Sequence, residues 1–243
     1  MFRLLRRLFE VRTGDIVGFE PEGSGAVRTI QAYQGLFEPF FEQGTDYLTL
    51  LGLPPEASPV IQFIADVVRE NPEYRQSVLA LLGDPGWRLH LVAAIAVLLS
   101  RDRAELSPAL WEAVDRGSWV APQLAVALSM CDPQFVSSAK QRILAGCPVV
   151  APADLRLTSL ERHVIVGPGG PQDRSAKTLA AVLHLMHTIP SETGWADKAS
   201  SDPDLQQLLR ADTDAGDKLA THWAAALRER FAELGLPLPK VAA

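Results

Sequence analysis

Apolar residues recur at helical spacing in three successive stretches of the chain, 59–87, 88–119 and 120–147. Each stretch holds two apolar-periodic segments that are separated by a polar or proline-containing break, which is the pattern of two amphipathic helices. The first two stretches end in a tryptophan shortly after a glycine, at Trp87 and Trp119. Because such a helix pair buries its apolar face only against a neighbouring pair, the pattern predicts a helical solenoid or a layered bundle.

Proline, glycine and the apolar positions also predict where individual helices lie. Residues 91–99 are apolar on every side, so their helix is expected to be the most buried one. Its pairing partner is predicted over 107–116. Further along the chain, a helix is predicted over 176–189, where Pro190 ends it, and a last amphipathic helix over 219–234.

Two of the predicted first helices align without a gap, with HLVAAI at 90–95 lying over QLAVAL at 123–128, an offset of 33 residues. This length and the two-helix organisation resemble HEAT-like helical repeats over residues 58–147. The resemblance implies stacked helical hairpins and carries no functional residues with it. A layered bundle of evenly sized helices produces the same pattern, so both architectures are retained as alternatives.

The expected fold class is all-α, in two regions. Residues 1–147 form a helical domain with its repeat-like core at 55–147, and residues 148–243 form a C-terminal helical region. A short Pro/Gly connector, 148–171, opens the second region. The pattern leaves open whether the C-terminal region packs on the same core or forms its own.

Charge is unevenly distributed along the chain, and its sign indicates which class of partner to expect. The formal net charge is −6, but residues 1–12 contribute +3 in a short basic amphipathic segment, so the remainder carries −9. Residues 191–218 alone hold seven acidic and three basic residues. An acidic body argues against nucleic acid, because phosphate contacts need clustered lysine and arginine, and favours a basic protein partner. The N-terminal segment is interpreted as a packed helix, with peripheral membrane contact or a cleaved presequence as the alternatives.

Cysteine content and apolar run length bear on location. The two cysteines, Cys131 and Cys147, provide neither a disulfide framework nor paired metal-ligand spacing, which predicts a reducing, cytoplasmic environment. The longest apolar run, 91–99, has about half the length that a spanning helix needs, so no transmembrane segment is predicted.

A glycine-rich stretch before the helix at 176–189 superficially resembles a phosphate-binding loop. The Walker pattern fails there, because Ala176 precedes Lys177 and Pro171 stands where the opening glycine is needed. The prolines of this stretch also lack the backbone N–H groups that such a loop presents to phosphate. A Pro/Gly connector is therefore the interpretation, and no cofactor is expected.

Three histidines define the one metal-site hypothesis. His184 and His187 lie three residues apart on one predicted helix, near enough to share a metal ion if His163 supplied a third ligand. On the helical wheel, however, both fall beside polar positions rather than on the buried stripe, which favours a half-exposed face without a metal.

Tryptophan and arginine residues at the junctions between helix pairs form the candidate binding set. Packing between repeats is the favoured role of the tryptophans, whereas an exposed tryptophan beside an arginine would be a binding hot spot. The set comprises Trp87, Arg88, Trp111, Arg116 and Trp119.

No catalytic motif is recognised, so the sequence favours a binding module over an enzyme. The function favoured is non-enzymatic: an intracellular protein-binding module, adaptor-like or immunity-like, that uses an acidic helix-lined surface. The alternative is a small-molecule or metal-dependent enzyme with its site near His163, His184 and His187.

Overall fold

The computed structural model describes residues 38–40, 46–149, 170–212 and 215–239, and in these ranges the chain is all-α without a strand. Within the described ranges, three short 3-10 helices, Glu38–Phe40, Tyr47–Leu51 and Pro55–Ala57, precede the longer elements. The α-helices are α1 (Ser58–Glu70), α2 (Tyr74–Gly83), α3 (Trp87–Leu99), α4 (Arg103–Asp115), α5 (Ala121–Cys131), α6 (Phe135–Leu144), α7 (Pro171–His187), α8 (Thr193–Ser200), α9 (Pro203–Leu209) and α10 (Gly216–Glu233). None of the helices in these ranges combines the length and the hydrophobicity needed to cross a membrane.

The most apolar helices lie at the centre of the fold. In α3, 11 of the 13 residues are buried, and in α5 every residue is buried. A helix that is apolar on all sides reaches low exposure only when other helices surround it, and α5 packs against α3, α4, α7 and α10. The prediction that residues 91–99 belong to a deeply buried helix is therefore confirmed.

The helices are arranged in two rows. The inner row runs α1, α3, α5, α7, each helix packing against the next, while α2 and α4 contact each other on the outer side. The first helices of successive pairs, α1, α3 and α5, thus lie side by side. The second helices α2 and α4 pack on their outer side. The layered all-α organisation matches the expected fold class, and the HEAT-like resemblance stays a prediction.

The described part of the C-terminal region packs on the same core as the central helices. Helix α7 contacts α5 and α6, and α10 contacts α5 and α7. The indole of Trp223 on α10 donates a hydrogen bond of 2.9 Å to the Leu50 carbonyl, which ties the last helix to an early turn of the chain. One contiguous cluster of buried apolar residues includes both Phe40 and Phe231.

Three helices begin earlier than their sequence pattern indicates, and α10 is one of them, since it begins at Gly216 rather than 219. Helix α7 begins at Pro171 rather than 176, because Gly170 and Asp173 form a cap in which the Asp173 carboxylate accepts the Gly170 N–H at 2.8 Å. Helix α4 begins at Arg103 rather than 107 and contains Pro108. The N–H that Pro108 lacks would have bonded to the carbonyl of Ala104, and because Ala104 is exposed, water can bind that carbonyl instead.

Several sequence predictions fall outside the described residues. They are the basic amphipathic segment at 1–12 with its possible membrane contact, and His163 within the Pro/Gly connector. Each of these stays a prediction.

Candidate functional site

Four side chains from three parts of the chain form a continuous stack, which we call the tryptophan ladder: Arg88, Trp87, Trp119 and Lys177. The Arg88 guanidinium carbon lies 4.3 Å from the centre of the Trp87 ring, and Lys177 Nζ lies 4.6 Å from the centre of the Trp119 ring. The two indoles meet edge to face, with centroids 4.7 Å apart. Cations over aromatic faces are attracted to the ring quadrupole, so the ladder joins α3, the turn before α5 and α7 electrostatically as well as by packing.

Two arginines hold the turn that carries Trp119. Arg116 donates from Nη2 to the Leu82 carbonyl, and Arg174 donates from Nη1 to the Gly117 carbonyl at 3.1 Å. Gly117 itself has φ of +75°, in the left-handed region, and a Cβ there would lie 2.5 Å from a methyl carbon of Val149. The position of the Trp119 ring is therefore determined by contacts with α2, α7 and the chain after α6.

Trp111 belongs to a separate cluster on α4 and α6. Its indole N–H donates to the Asp132 carboxylate at 2.7 Å, its ring stacks on Phe135 with centroids 5.9 Å apart, and the Arg142 guanidinium lies 4.1 Å from its centre. Arg142 also binds both carboxylate oxygens of Asp115, at 2.8 and 2.7 Å. This bidentate pair and the stack on Trp111 together fasten α6 to α4.

The structure therefore divides the candidate binding set into buried and partly exposed members. Trp87 and Trp111 are 6% and 5% exposed, which is the geometry of packing residues. Trp119, Arg88 and Arg116 are partly exposed. The five residues do not form one surface patch. Trp87, Arg88 and Trp119 belong to the ladder and Arg116 holds the adjoining turn, whereas Trp111 lies in its own cluster.

A cavity of about 230 Å³ adjoins the Trp119 end of the ladder. It is bounded by the 3-10 helix Tyr47–Leu51, the turn before α5, the first turn of α5, α7 and α10. The lining residues are Leu51, Trp119, Val120, Gln123, Lys177 and Leu219.

Two polar atoms of this lining have no hydrogen-bond partner. The Gln123 side chain is 3% exposed and donates from Nε2 to the Leu51 carbonyl at 3.4 Å. Because a carbonyl only accepts, the amide nitrogen faces Leu51, and the Gln123 Oε1 is left buried and unpaired. The indole N–H of Trp119 is likewise buried without a partner. Each unpaired buried group lowers the free energy of unfolding by about 1–3 kcal/mol.

Sequence reasoning assigned a binding role to Trp119 but none to Gln123 or Lys177, the other two polar residues of the lining. Lys177 was considered only as part of a failed Walker pattern, although it is 4% exposed and lies over Trp119. Gln123 carries a signal that could have identified it, since it is a long amide inside the apolar helix α5. A buried polar side chain among apolar neighbours is more informative than an exposed one.

The two described histidines of the metal hypothesis have separate structural partners. His184 Nε2 lies 2.8 Å from the Thr221 hydroxyl, which joins α7 to α10. His187 lies 2.9 Å from the Leu183 carbonyl through Nδ1 and 3.1 Å from the Asp197 carboxylate through Nε2. Within the described ranges no group of three or more His, Cys, Asp and Glu side chains is arranged to hold a metal ion. These contacts give the enzyme hypothesis no support.

Both cysteine thiols are buried and unreactive by their environment. Burial raises the pKa of Cys131 to about 11 and that of Cys147 to about 12. The thiolate, which is the nucleophilic form, is therefore scarce at neutral pH, and neither residue is a candidate nucleophile.

Comparison with protein-family models, with curated proteins and with solved structures found no match for this chain.

Proposed function

We propose that the protein is a non-enzymatic, cytoplasmic protein-binding module, adaptor-like or immunity-like, that docks a basic protein on an acidic helical surface. The observation that carries the proposal is an exposed leucine beside acidic helices. Leu144, at the end of α6, is 72% exposed, far more than the other exposed large apolar residue of the described ranges, Leu79, at 42%.

Contacts bring the end of α6 next to the acidic C-terminal helices. Lys140 on α6 forms an ion pair of 2.6 Å with Glu192, just before α8. A Cβ at Gly146, two residues after Leu144, would lie 3.3 Å from a methyl carbon of Leu208 on α9. Leu144 therefore projects to solvent at the junction of α6 with the α8–α9 pair.

The charge on the α9 side of this junction is negative. Asp204 is exposed and lies one helical turn before Leu208, on the same face of α9, and α9 itself has no basic residue. The exposed carboxylates of α8, α9 and the first turn of α10 are Asp197, Asp202, Asp204 and Asp217. The exposed cations among them are Lys198, Arg210 and Lys218.

An apolar side chain with a charged surround is the usual anatomy of a docking site. The apolar centre supplies affinity through burial, and the acidic surround selects a partner of opposite charge and accelerates association. We define the Leu144 surface as Leu144, Ala145, Asp202 and Asp204. Its negative charge favours a basic protein over nucleic acid, which the same charge would repel.

The test uses two substitutions in the Leu144 surface and two matched substitutions elsewhere. The purified chain is first used to capture proteins from its native source at low and high salt, and a stoichiometric partner is identified and purified. Binding of that partner is then measured by calorimetry for Leu144→Ser and Asp204→Lys. The controls are Leu79→Ser, the other exposed leucine, and Glu73→Lys, an exposed acid that also stands at a helix N-terminus.

Both surface variants should bind about tenfold or more weakly, with Asp204→Lys also reducing the salt dependence, while both controls bind as the unmodified chain does. Equal binding by all four variants would remove the Leu144 surface from the proposal. Failure to retain any stoichiometric protein would contradict the binding-module function as a whole.

A further inference from the structure

Helices α8 and α9 bury far fewer side chains than the central helices do. Of the eight residues of α8 only Ala196 and Ala199 are buried, and of the seven residues of α9 only Leu205 is buried. In α5, by contrast, every residue is buried. A short helix has little stability of its own, and one that buries so few side chains gains little from packing. These two helices therefore lie at the low-stability end of the described fold.

The chain is anchored in the core on both sides of these two helices. Before α8, Ile189 is 8% exposed, and Pro190 then has no N–H with which to continue α7. After α9, α10 begins at Gly216, where a Cβ would lie 2.1 Å from the Lys177 carbonyl oxygen of α7. Because both anchors are fixed, α8 and α9 can separate from the core without displacing α7 or α10.

Two contacts between ionisable side chains of the described ranges join α8 to α6 and α7. Glu192, at the N-cap of α8, pairs with Lys140 on α6 at 2.6 Å, and the Lys140 ammonium also lies 5.3 Å from the centre of the Trp195 ring. Asp197 contacts His187 on α7 at 3.1 Å. The Glu192 side chain is 15% exposed, whereas that of Asp197 is 68% exposed. Water screens the more exposed contact more strongly, so the Lys140–Glu192 ion pair is the stronger of the two.

We infer that α8 and α9 form a flap that opens as one unit while the other described helices stay folded, and that the Lys140–Glu192 ion pair holds this flap closed. Opening exchanges the ion pair for contacts with water and exposes few apolar side chains. The free energy of opening is therefore far smaller than that of global unfolding.

Opening of the flap separates the two halves of the Leu144 surface. Leu144 and Ala145 lie at the end of α6, whereas Asp202 and Asp204 lie at the start of α9, in the flap. The consequence for docking rests on the function proposed above. Because the surface is complete only in the closed state, a protein that contacts both halves stabilises the closed flap by mass action.

Hydrogen–deuterium exchange of the full chain, followed by mass spectrometry, tests the flap without a partner. Amides of α8 and α9 should exchange together and about 100-fold or more faster than those of α5, since they exchange by local opening. Lys140→Met keeps most of the side-chain volume but removes the charge. It should raise the exchange rates of α8 and α9 about fivefold and leave those of α5 unchanged.

Further variants show whether the effect belongs to the ion pair. Glu192→Gln should raise the same exchange rates by a similar factor, and the double variant should exchange about as fast as either single one, because each substitution already breaks the pair. The controls are Lys218→Met, which removes an exposed lysine outside the flap, and Gln141→Met, which alters the exposed neighbour of Lys140. Both controls should exchange as the unmodified chain does.

The inference is overturned if amides of α8 and α9 exchange as slowly as those of α5, or if Lys140→Met leaves their exchange unchanged. It is also overturned if this variant accelerates exchange in α5 and α9 equally, because the ion pair would then act on global stability rather than on the flap.

The link to docking has its own readout. A saturating protein partner should slow the exchange of α8 and α9 by about tenfold or more. A partner that binds and leaves this exchange unchanged would contradict the link between the flap and the Leu144 surface. Absence of any partner would contradict the proposed function and not the flap, which the free chain decides.

Discussion

His90 lies inside α3 with 2% of its surface exposed, between a carbonyl and a hydroxyl group. Its Nε2 is 2.7 Å from the Asp84 carbonyl and its Nδ1 is 2.8 Å from the Ser118 hydroxyl. Because a carbonyl only accepts, Nε2 carries a proton, and in the neutral imidazole Nδ1 then accepts from the Ser118 hydroxyl. Burial disfavours the charged form of this ring, so acid should destabilise the folded chain.

The magnitude follows from the pKa of this imidazole. Burial, with a further contribution from the positive charge of Arg116, lowers the pKa of His90 from 6.5 to about 4. Between these two pH values the unfolded chain binds a proton that the folded chain does not, so the free energy of unfolding falls as pH falls. The contribution of His90 to the free energy of unfolding is fully present above about pH 6.5 and is lost as the pH falls towards about 4. The loss is about 1.4 kcal/mol per pH unit, or roughly 3 kcal/mol over the whole interval.

The assay is urea unfolding, followed by far-UV circular dichroism, for the unmodified chain and for His90→Gln at about pH 7, about pH 5.5 and about pH 4. The glutamine amide donates and accepts hydrogen bonds but does not titrate, so carboxylate protonation affects both proteins alike. The stability of the unmodified chain should decline by roughly 3 kcal/mol more than that of the variant. Identical pH dependence, or an imidazole that titrates at about 6.5 in the folded chain by NMR, would refute the reasoning.

Two further predictions concern helix packing. Trp111→Phe keeps an aromatic ring against Phe135 but removes the N–H that donates to Asp132. The free energy of unfolding, measured in urea, should therefore fall by about 1.5–3 kcal/mol. An unchanged urea midpoint would contradict that hydrogen bond. Gly216→Ala places a Cβ 2.1 Å from the Lys177 carbonyl oxygen, where α10 meets α7. The substitution should lower the free energy of unfolding by about 1–3 kcal/mol and should lower Tm. A Tm equal to that of the unmodified chain would mean that the two helices do not approach so closely.

Helical periodicity was sufficient to predict the all-α class and the position of the central helices. The helix predicted around residues 91–99 is observed as Trp87–Leu99, because a helix pairs the backbone groups of an apolar segment within the segment itself while its side chains are buried. Helices α8 and α9 were not predicted individually, since 191–218 was interpreted as an acidic, broken segment. Helices of eight and seven residues have little intrinsic stability, and these two form where they pack on α7.

For the candidate sites, too, some features could be predicted from the sequence and others could not. The sequence alone indicated that Trp87 and Trp119 lie at junctions between helix pairs, because nearby glycine and proline residues mark where helices end. It did not indicate that Lys177 lies over Trp119, nor that Gln123 keeps an unpaired oxygen beside it. Local pattern determines which face of each helix is apolar. Which faces meet, and which buried polar atoms are left without a partner, depends on contacts between residues distant in the chain, and only the tertiary structure decides those.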